Sequence, residues 1–172
     1  MTGPTTPWTI RQLTTADLPA FRPLRLDALR LHPRAYGASY QEEVNDTLDD
    51  YAARWPAPPG AMLGGFVADR LVGFAGLQVP ARIKQRHKGF IYTVYVEQAF
   101  RGQGLARALV EAAIAVARDA GLRFVWLTVA VGNDGARRIY DRMGFRTFGI
   151  EPRGLLVDGV FVDEEMMLLE LD

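Results

Sequence analysis

At 172 residues, 49% hydrophobic and 23% charged, the chain has the size and composition of one globular domain, a length at which roughly 70% of the unfolded surface is buried. It has no cysteine, and its two histidines, His32 and His87, stand far apart, which excludes a disulfide framework, a thiolate metal site and a His-rich metal centre. Twenty basic and twenty acidic residues cancel, so no net charge draws the molecule to nucleic acid, and no apolar run approaches the ~20 residues of a membrane span.

The opening MTGPTTPWTI lacks the charged and apolar regions of a secretory leader; with no cysteine, a cytoplasmic location is expected. Residues 8–12 alternate as a short strand. A helix follows, with Thr15 as its N-cap and Leu18, Phe21, Leu24 and Leu29 on one face, ended by Pro33. Residues 34–40 read as a loop and 46–55 as a second helix. Two strands, 62–68 and 71–79, are joined tightly at Asp69-Arg70. The basic stretch 82–88 reads as a solvated loop rather than a nucleic-acid patch. The aromatic and β-branched run 89–97 is a strand.

A glycine turn comes next, and then Leu105, Leu109, Ala112, Ala113, Val116 and Ala120 recur at helical spacing up to Gly121. Residues 123–131 form a buried strand. Asn133 opens a short helix bearing Ala136, Tyr140 and Met143, ended by Gly144. Strands at 145–152 and 159–171 close the chain around a turn at 152–160. The expected fold class is α/β: an α+β arrangement with one mixed, mostly antiparallel sheet, a single domain over residues 1–172. One right-handed crossover helix joins the strands at 89–97 and 123–131.

The turn Arg101-Gly102-Gln103-Gly104 ends a strand and opens a helix. The first N–H groups of a helix lack partners, and its dipole favours negative charge there, so this is an anion site. A nucleotide-hydrolase phosphate loop requires a Gly-Lys pair, which is absent. A dinucleotide-binding turn requires Gly or Ala at the sixth position from Gly102, where Arg107 stands. A turn cradling the pyrophosphate of coenzyme A remains.

Arg101, Gly104 and Ala106 fill the anchors of [QR]-x-x-G-x-[GA], and residues 133–145, NDGARRIYDRMGF, fit N-x-x-A-x-x-x-Y-x-x-x-G-F. Both patterns, in this order, resemble those of the GNAT superfamily of N-acetyltransferases, and the element order is similar over nearly the whole chain. The resemblance implies central strands that splay apart and acetyl-CoA as co-substrate. Main-chain groups of Val94, Tyr95 and Val96 would bond the pantetheine arm. Those of Arg101, Gly102, Gln103, Gly104, Leu105 and Ala106 would hold the pyrophosphate, and Asn133 would reach the pantetheine or thioester. Tyr140 would protonate the departing thiolate.

Many relatives carry a glutamate within the strand at 89–97; here Phe90, Ile91, Tyr92 and Thr93 stand there. Glu97 is the nearby acid and the expected base, with a water held by Tyr92, Glu42 or Glu43 as alternatives. The acceptor, expected to be a small-molecule or peptide primary amine, would meet the 33–45 loop, the strand at 89–97 and the 152–160 turn; the loop and the turn carry Pro33, Tyr36, Tyr40, Arg153 and Asp158. No metal, nucleic-acid or membrane partner is expected. The MMLLEL tail could be an inner strand or the interface of a homodimer. A non-catalytic acyl-CoA sensor of the same fold is the alternative function.

Overall fold

The computed structural model describes residues 7–171, so the expectation about a leader falls partly on residues 1–6, outside the described residues. Seven strands form one sheet in the order β1-β2-β3-β4-β5-β7-β6. They are β1 (Trp8–Gln12), β2 (Ala61–Val67), β3 (Arg70–Gln78), β4 (Lys88–Val96), β5 (Phe124–Ala130), β6 (Arg146–Val157) and β7 (Val160–Glu170). Neighbours are antiparallel except β4 and β5, which run parallel because α4 (Leu105–Asp119) crosses between them.

Alternation along the central strands splits the core in two. Leu109, Val110, Ala113 and Ala117 of α4 pack against Val72, Ala75, Leu77, Ile91, Val125 and Leu127 on one face. On the other face, Leu18, Phe21, Leu24 and Ala28 of α1 (Leu18–Leu31) pack on Leu71, Phe74 and Tyr95. β3 is therefore buried from Leu71 to Leu77, as a strand covered on both sides must be. The MMLLEL segment is an inner strand: β7 lies between β5 and β6, and Met167 is fully buried.

Several boundaries differ from the sequence expectation, each for a local reason. Thr14, not Thr15, caps the first helical segment, through a capping box with Asp17. A short helix, α2 (Tyr40–Glu43), was expected as loop; Ser39 and Glu42 form its capping box. The next, α3 (Leu48–Ala53), is shorter than 46–55 because Thr47 and Asp50 fix its start. The 152–160 turn is mostly strand. β6 continues past an irregularity between Glu151 and Leu155 to a two-residue turn at Asp158-Gly159. Both turn residues have positive φ, +49° and +77°, the Asp-Gly chemistry of a tight hairpin.

One irregularity organises the molecule. In β4, Gly76 of β3 pairs with Tyr92, but Phe74 pairs with Tyr95, so an extra residue is accommodated there. Thr93 sits at this bulge with φ +53°, a costly conformation for a β-branched residue that its surroundings must hold. The Arg25 guanidinium donates to the Thr93 hydroxyl and, at 2.8 and 3.1 Å, to both carboxylate oxygens of buried Glu43. The Tyr51 hydroxyl donates to Glu43 at 2.8 Å. Parallel pairing of β4 with β5 spans only Lys88–Phe90, and the strands part before the bulge.

Burial alone would raise the Glu43 pKa, but hydrogen bonds and charge from Arg25 outweigh it and hold the carboxyl below its ordinary range. Glu43→Gln would leave Arg25 without its counter-charge and should cost about 3 kcal/mol, read as a lower urea midpoint at unchanged m-value. A depressed folded pKa stabilises above the unfolded value of about 4.3 and is lost as pH falls through the folded one. The wild-type chain should therefore lose more stability than the glutamine variant as the pH falls below about 5.

Candidate active site

Where β4 and β5 separate, the sheet opens into a V. Its β4 edge presents main-chain groups with no strand beside them, the kind of groups that must find partners when covered. Two adjoining cavities occupy the V, of about 590 and 430 Å3, within the range of small-molecule sites. Ala35, Tyr36, Val94, Asn133, Ala136 and Tyr140 line both, so a molecule in one can touch a molecule in the other.

The larger cavity runs from this junction to the N-terminus of α4. Val94, Tyr95, Val96, Arg101, Gly102, Gly104, Leu105, Ala106, Asn133 and Tyr140 all line it. Gly102 and Gly104 have φ of +74° and +84°, and a Cβ on either would meet nothing within 4 Å. Open space thus lies over the turn, which glycine alone adopts without strain. The first helical bond runs from the Ala108 N–H to the Gly104 carbonyl at 3.0 Å. The N–H groups of Gly102 through Arg107 therefore have no protein partner among the described residues, which is the arrangement that binds phosphate. Arg101, Arg107 and Arg142 line the cavity and, among the described residues, no carboxylate does. These features fit a pyrophosphate followed by an extended amide-bearing chain. Gln103 is not in the wall; its Oε1 is buried without a partner.

Side chains at the mouth are already engaged. Arg101 donates from Nε to the Val96 carbonyl at 2.8 Å and faces Nε2 of His32 at 2.7 Å. That nitrogen must be the acceptor, consistent with a His32 pKa lowered by burial and by the Arg101 charge. The Tyr36 hydroxyl donates to the Val94 carbonyl at 3.1 Å. Asn133 accepts from the Ala136 N–H at 3.3 Å as the N-cap of α5 (Asp134–Arg142) while lining both cavities.

Tyr140 is 7% exposed and projects from α5 to the junction. Burial alone pushes its hydroxyl up to about 12, so it keeps its proton through the neutral range.

The carboxylates named from the sequence lie elsewhere. Glu97 is a correction: it lines neither cavity, and Arg70 holds both its oxygens, at 2.5 and 2.6 Å. The chain turns at Glu97, whose N–H bonds the Val72 carbonyl at 2.9 Å, so its side chain follows β3 and leaves the V. Glu42 is spent on capping α2, and Glu43 is locked by Arg25. Tyr92 does line the second cavity, packed so closely over β3 that a Cβ on Gly76 would lie 2.5 Å from its ring.

Sequence reasoning missed Glu164. It projects from β7 into the second cavity and is the one carboxylate lining either cavity among the described residues. The period-2 alternation of β7 could have placed it on the Thr128 and Ala130 side of the sheet, because Glu164 pairs with Ala130. The segments expected to hold the acceptor do meet: Pro33, Tyr36 and Tyr40 share a groove with Leu155, Val157 and Asp158.

Comparison with known proteins agrees with this geometry. The mycothiol acetyltransferase of Thermobispora bispora is 34% identical over 162 residues, covering 84% of this chain and 55% of that protein. That of Salinispora tropica is 31% identical over 156 residues, covering 80% and 50%; the chain thus spans about half the length of these curated relatives. A GNAT-family acetyltransferase structure from Streptococcus pneumoniae superposes with a TM-score of 0.85 at 22% identity, covering 96% of this chain and all of that one. A Salmonella typhimurium protein solved with its cofactor acetyl-CoA gives 0.83 at 24% identity, covering 96% and 94%. The family model described as the acetyltransferase (GNAT) family matches residues 25–145, and the chain belongs to that family.

Proposed function

We propose that the chain is an acetyl-CoA-dependent N-acetyltransferase that moves the acetyl group directly to a primary amine of a small molecule. The observation that carries this is the cleft itself: a β4 edge that no strand covers, leading to a glycine turn with free N–H groups, three arginines and, among the described residues, no carboxylate. Family membership supports the co-substrate. The relatives named mycothiol acetyltransferase support a small-molecule acceptor. With no cysteine in the chain, an acyl-cysteine intermediate is excluded and direct attack is the simplest route.

In this reading the glycine turn holds the pyrophosphate and the V holds the pantetheine arm along Val94, Tyr95 and Val96. The thioester then lies at the junction beside Tyr140, and the acceptor enters through the second cavity. A proton passed outright from a hydroxyl near 12 to a thiol near 8.5 would be uphill by about 5 kcal/mol. Tyr140 therefore acts as a hydrogen-bond donor to the departing sulfur and a relay, giving its proton as it receives another. A main-chain N–H of β4 near Val94 would donate to the oxyanion as it develops.

We read residues 1–172 as one domain, supported by one continuous sheet with both helical layers packed on it. No helix among the described residues is long and apolar enough to cross a membrane. Exposed Phe148, Ile150, Leu156, Val160 and Phe161 on the β6–β7 hairpin support a homodimer through these strands; sedimentation should then give twice the mass of 19.1 kDa, and a monomer at micromolar concentration would refute it.

Calorimetric titration with acetyl-CoA, beside a free-thiol assay over primary amines, tests the function. Binding with amine-dependent thiol release is expected; binding without release is the signature of a sensor. Gly104→Val should weaken acetyl-CoA binding at least tenfold, because a β-branched side chain strains φ +84° and fills the cradle. Tyr140→Phe should leave binding intact and lower kcat by about 10²-fold.

A further inference from the structure

We propose that Glu164 is the catalytic base that takes a proton from the acceptor, which therefore enters as an ammonium ion; this rests on the transferase reading above. Arginines hold three other glutamates of the chain. Glu43 is bound by Arg25, Glu97 by Arg70, and Glu165, its neighbour on β7, by Arg137 at 2.9 Å. Glu164 has no arginine, lysine or histidine within ion-pair distance among the described residues, although it is half-buried in the wall of a cavity. That cavity shares Tyr140 and Val94 with the cleft that would hold the thioester.

The backbone makes room for this carboxylate. A Cβ on Gly154 of β6 would lie 3.0 Å from Glu164 Oε2, so glycine there lets the irregular part of β6 approach without pushing the side chain aside. Directly across the β6–β7 ladder stands Glu151, a like charge that disfavours ionisation of its partner. The other charged and titratable groups facing the cavity are Arg25 from α1, already held by Glu43, and Tyr36, Tyr92 and Tyr140. Burial raises each of those tyrosines further, so they stay neutral. Burial first raises Glu164 above its ordinary value, against a hydrogen bond from Thr128, and the Glu151 charge adds to the rise. A base shifted in that direction is better matched to an ammonium at neutral pH. The flat wall beside it, Phe90 stacked on Tyr92 at 6.1 Å, suits an apolar or aromatic body on the amine.

The step balances. An ammonium nitrogen gives one proton to the Glu164 carboxylate, which later releases it to water. The freed lone pair attacks the thioester carbonyl, a C–N bond forms, and collapse of the intermediate breaks the C–S bond. The second nitrogen proton is lost as the sulfur gains one by way of Tyr140. The products are an amide and a free thiol.

The test measures kcat/KM across pH for the wild-type chain and Glu164→Gln, with acetyl-CoA and two probe amines, strongly basic benzylamine and weakly basic trifluoroethylamine. Acetyl-CoA titration of both chains serves as the folding control. For benzylamine the variant should lose about 10²-fold or more in kcat/KM together with the acid-side inflection. Trifluoroethylamine, neutral at pH 7, should lose less, and acetyl-CoA affinity should be unchanged. Glu164→Asp should restore part of the rate and the inflection. A glutamine variant with wild-type rates and pH profile would overturn the role of Glu164 while leaving the transferase standing. A wild-type chain that binds acetyl-CoA but acetylates neither amine would overturn the transferase reading, and this one with it.

Discussion

The grip of Arg25 on Thr93 is the contact on which the rest of the structure depends. A β-branched residue at φ +53° does not hold that shape unaided. Arg25 reaches it from α1, and Arg25 is in turn fixed by the buried carboxylate of Glu43 and the hydroxyl of Tyr51. Helix α1 thereby sets the path of β4 from across the sheet. β4 follows β5 for three residues, leaves it, and presents an unpaired edge to the cleft. A regular β4 paired along its length would close the V.

The two halves of the cleft have opposite electrostatic characters, and this divides the chemistry. Toward α4 the wall carries arginines and free N–H groups, which suits polyphosphate. Toward β7 it carries an uncompensated glutamate with a second across the ladder, which suits a cation. Tyr140 sits where they meet, dry enough to stay protonated. An anionic co-substrate and a cationic acceptor entering from these sides would bring a carbonyl and a nitrogen together, and proximity of this kind supplies a large share of a barrier reduction.

Much of this was legible in the sequence. The spacing of Leu105, Leu109 and Ala113 gave α4, and the glycine pair gave the turn that opens it. Asn133 and Tyr140, seven residues apart, fall on one wall because two helical turns separate them. What was not legible depended on contacts distant in sequence. Glu97 is near the site in the chain but Arg70, 27 positions away, takes it. Glu164 lies in the tail yet lines the cavity, because β7 inserts between β5 and β6. Strand order is set by the packing of the whole sheet, and no local pattern reports it. The capping box of α2 and the Asp158-Gly159 turn were different: both signals were written locally, in Ser39 with Glu42 and in the turn dipeptide.

The most direct measurement is a crystal structure of the chain with acetyl-CoA. The pyrophosphate is expected on the N–H groups of the Gly102–Ala106 turn, the pantetheine arm along the edge of Val94 and Val96 that no strand covers, and the sulfur beside the Tyr140 hydroxyl. Acetyl-CoA bound elsewhere, or a β5 found paired along the whole length of β4, would contradict this arrangement.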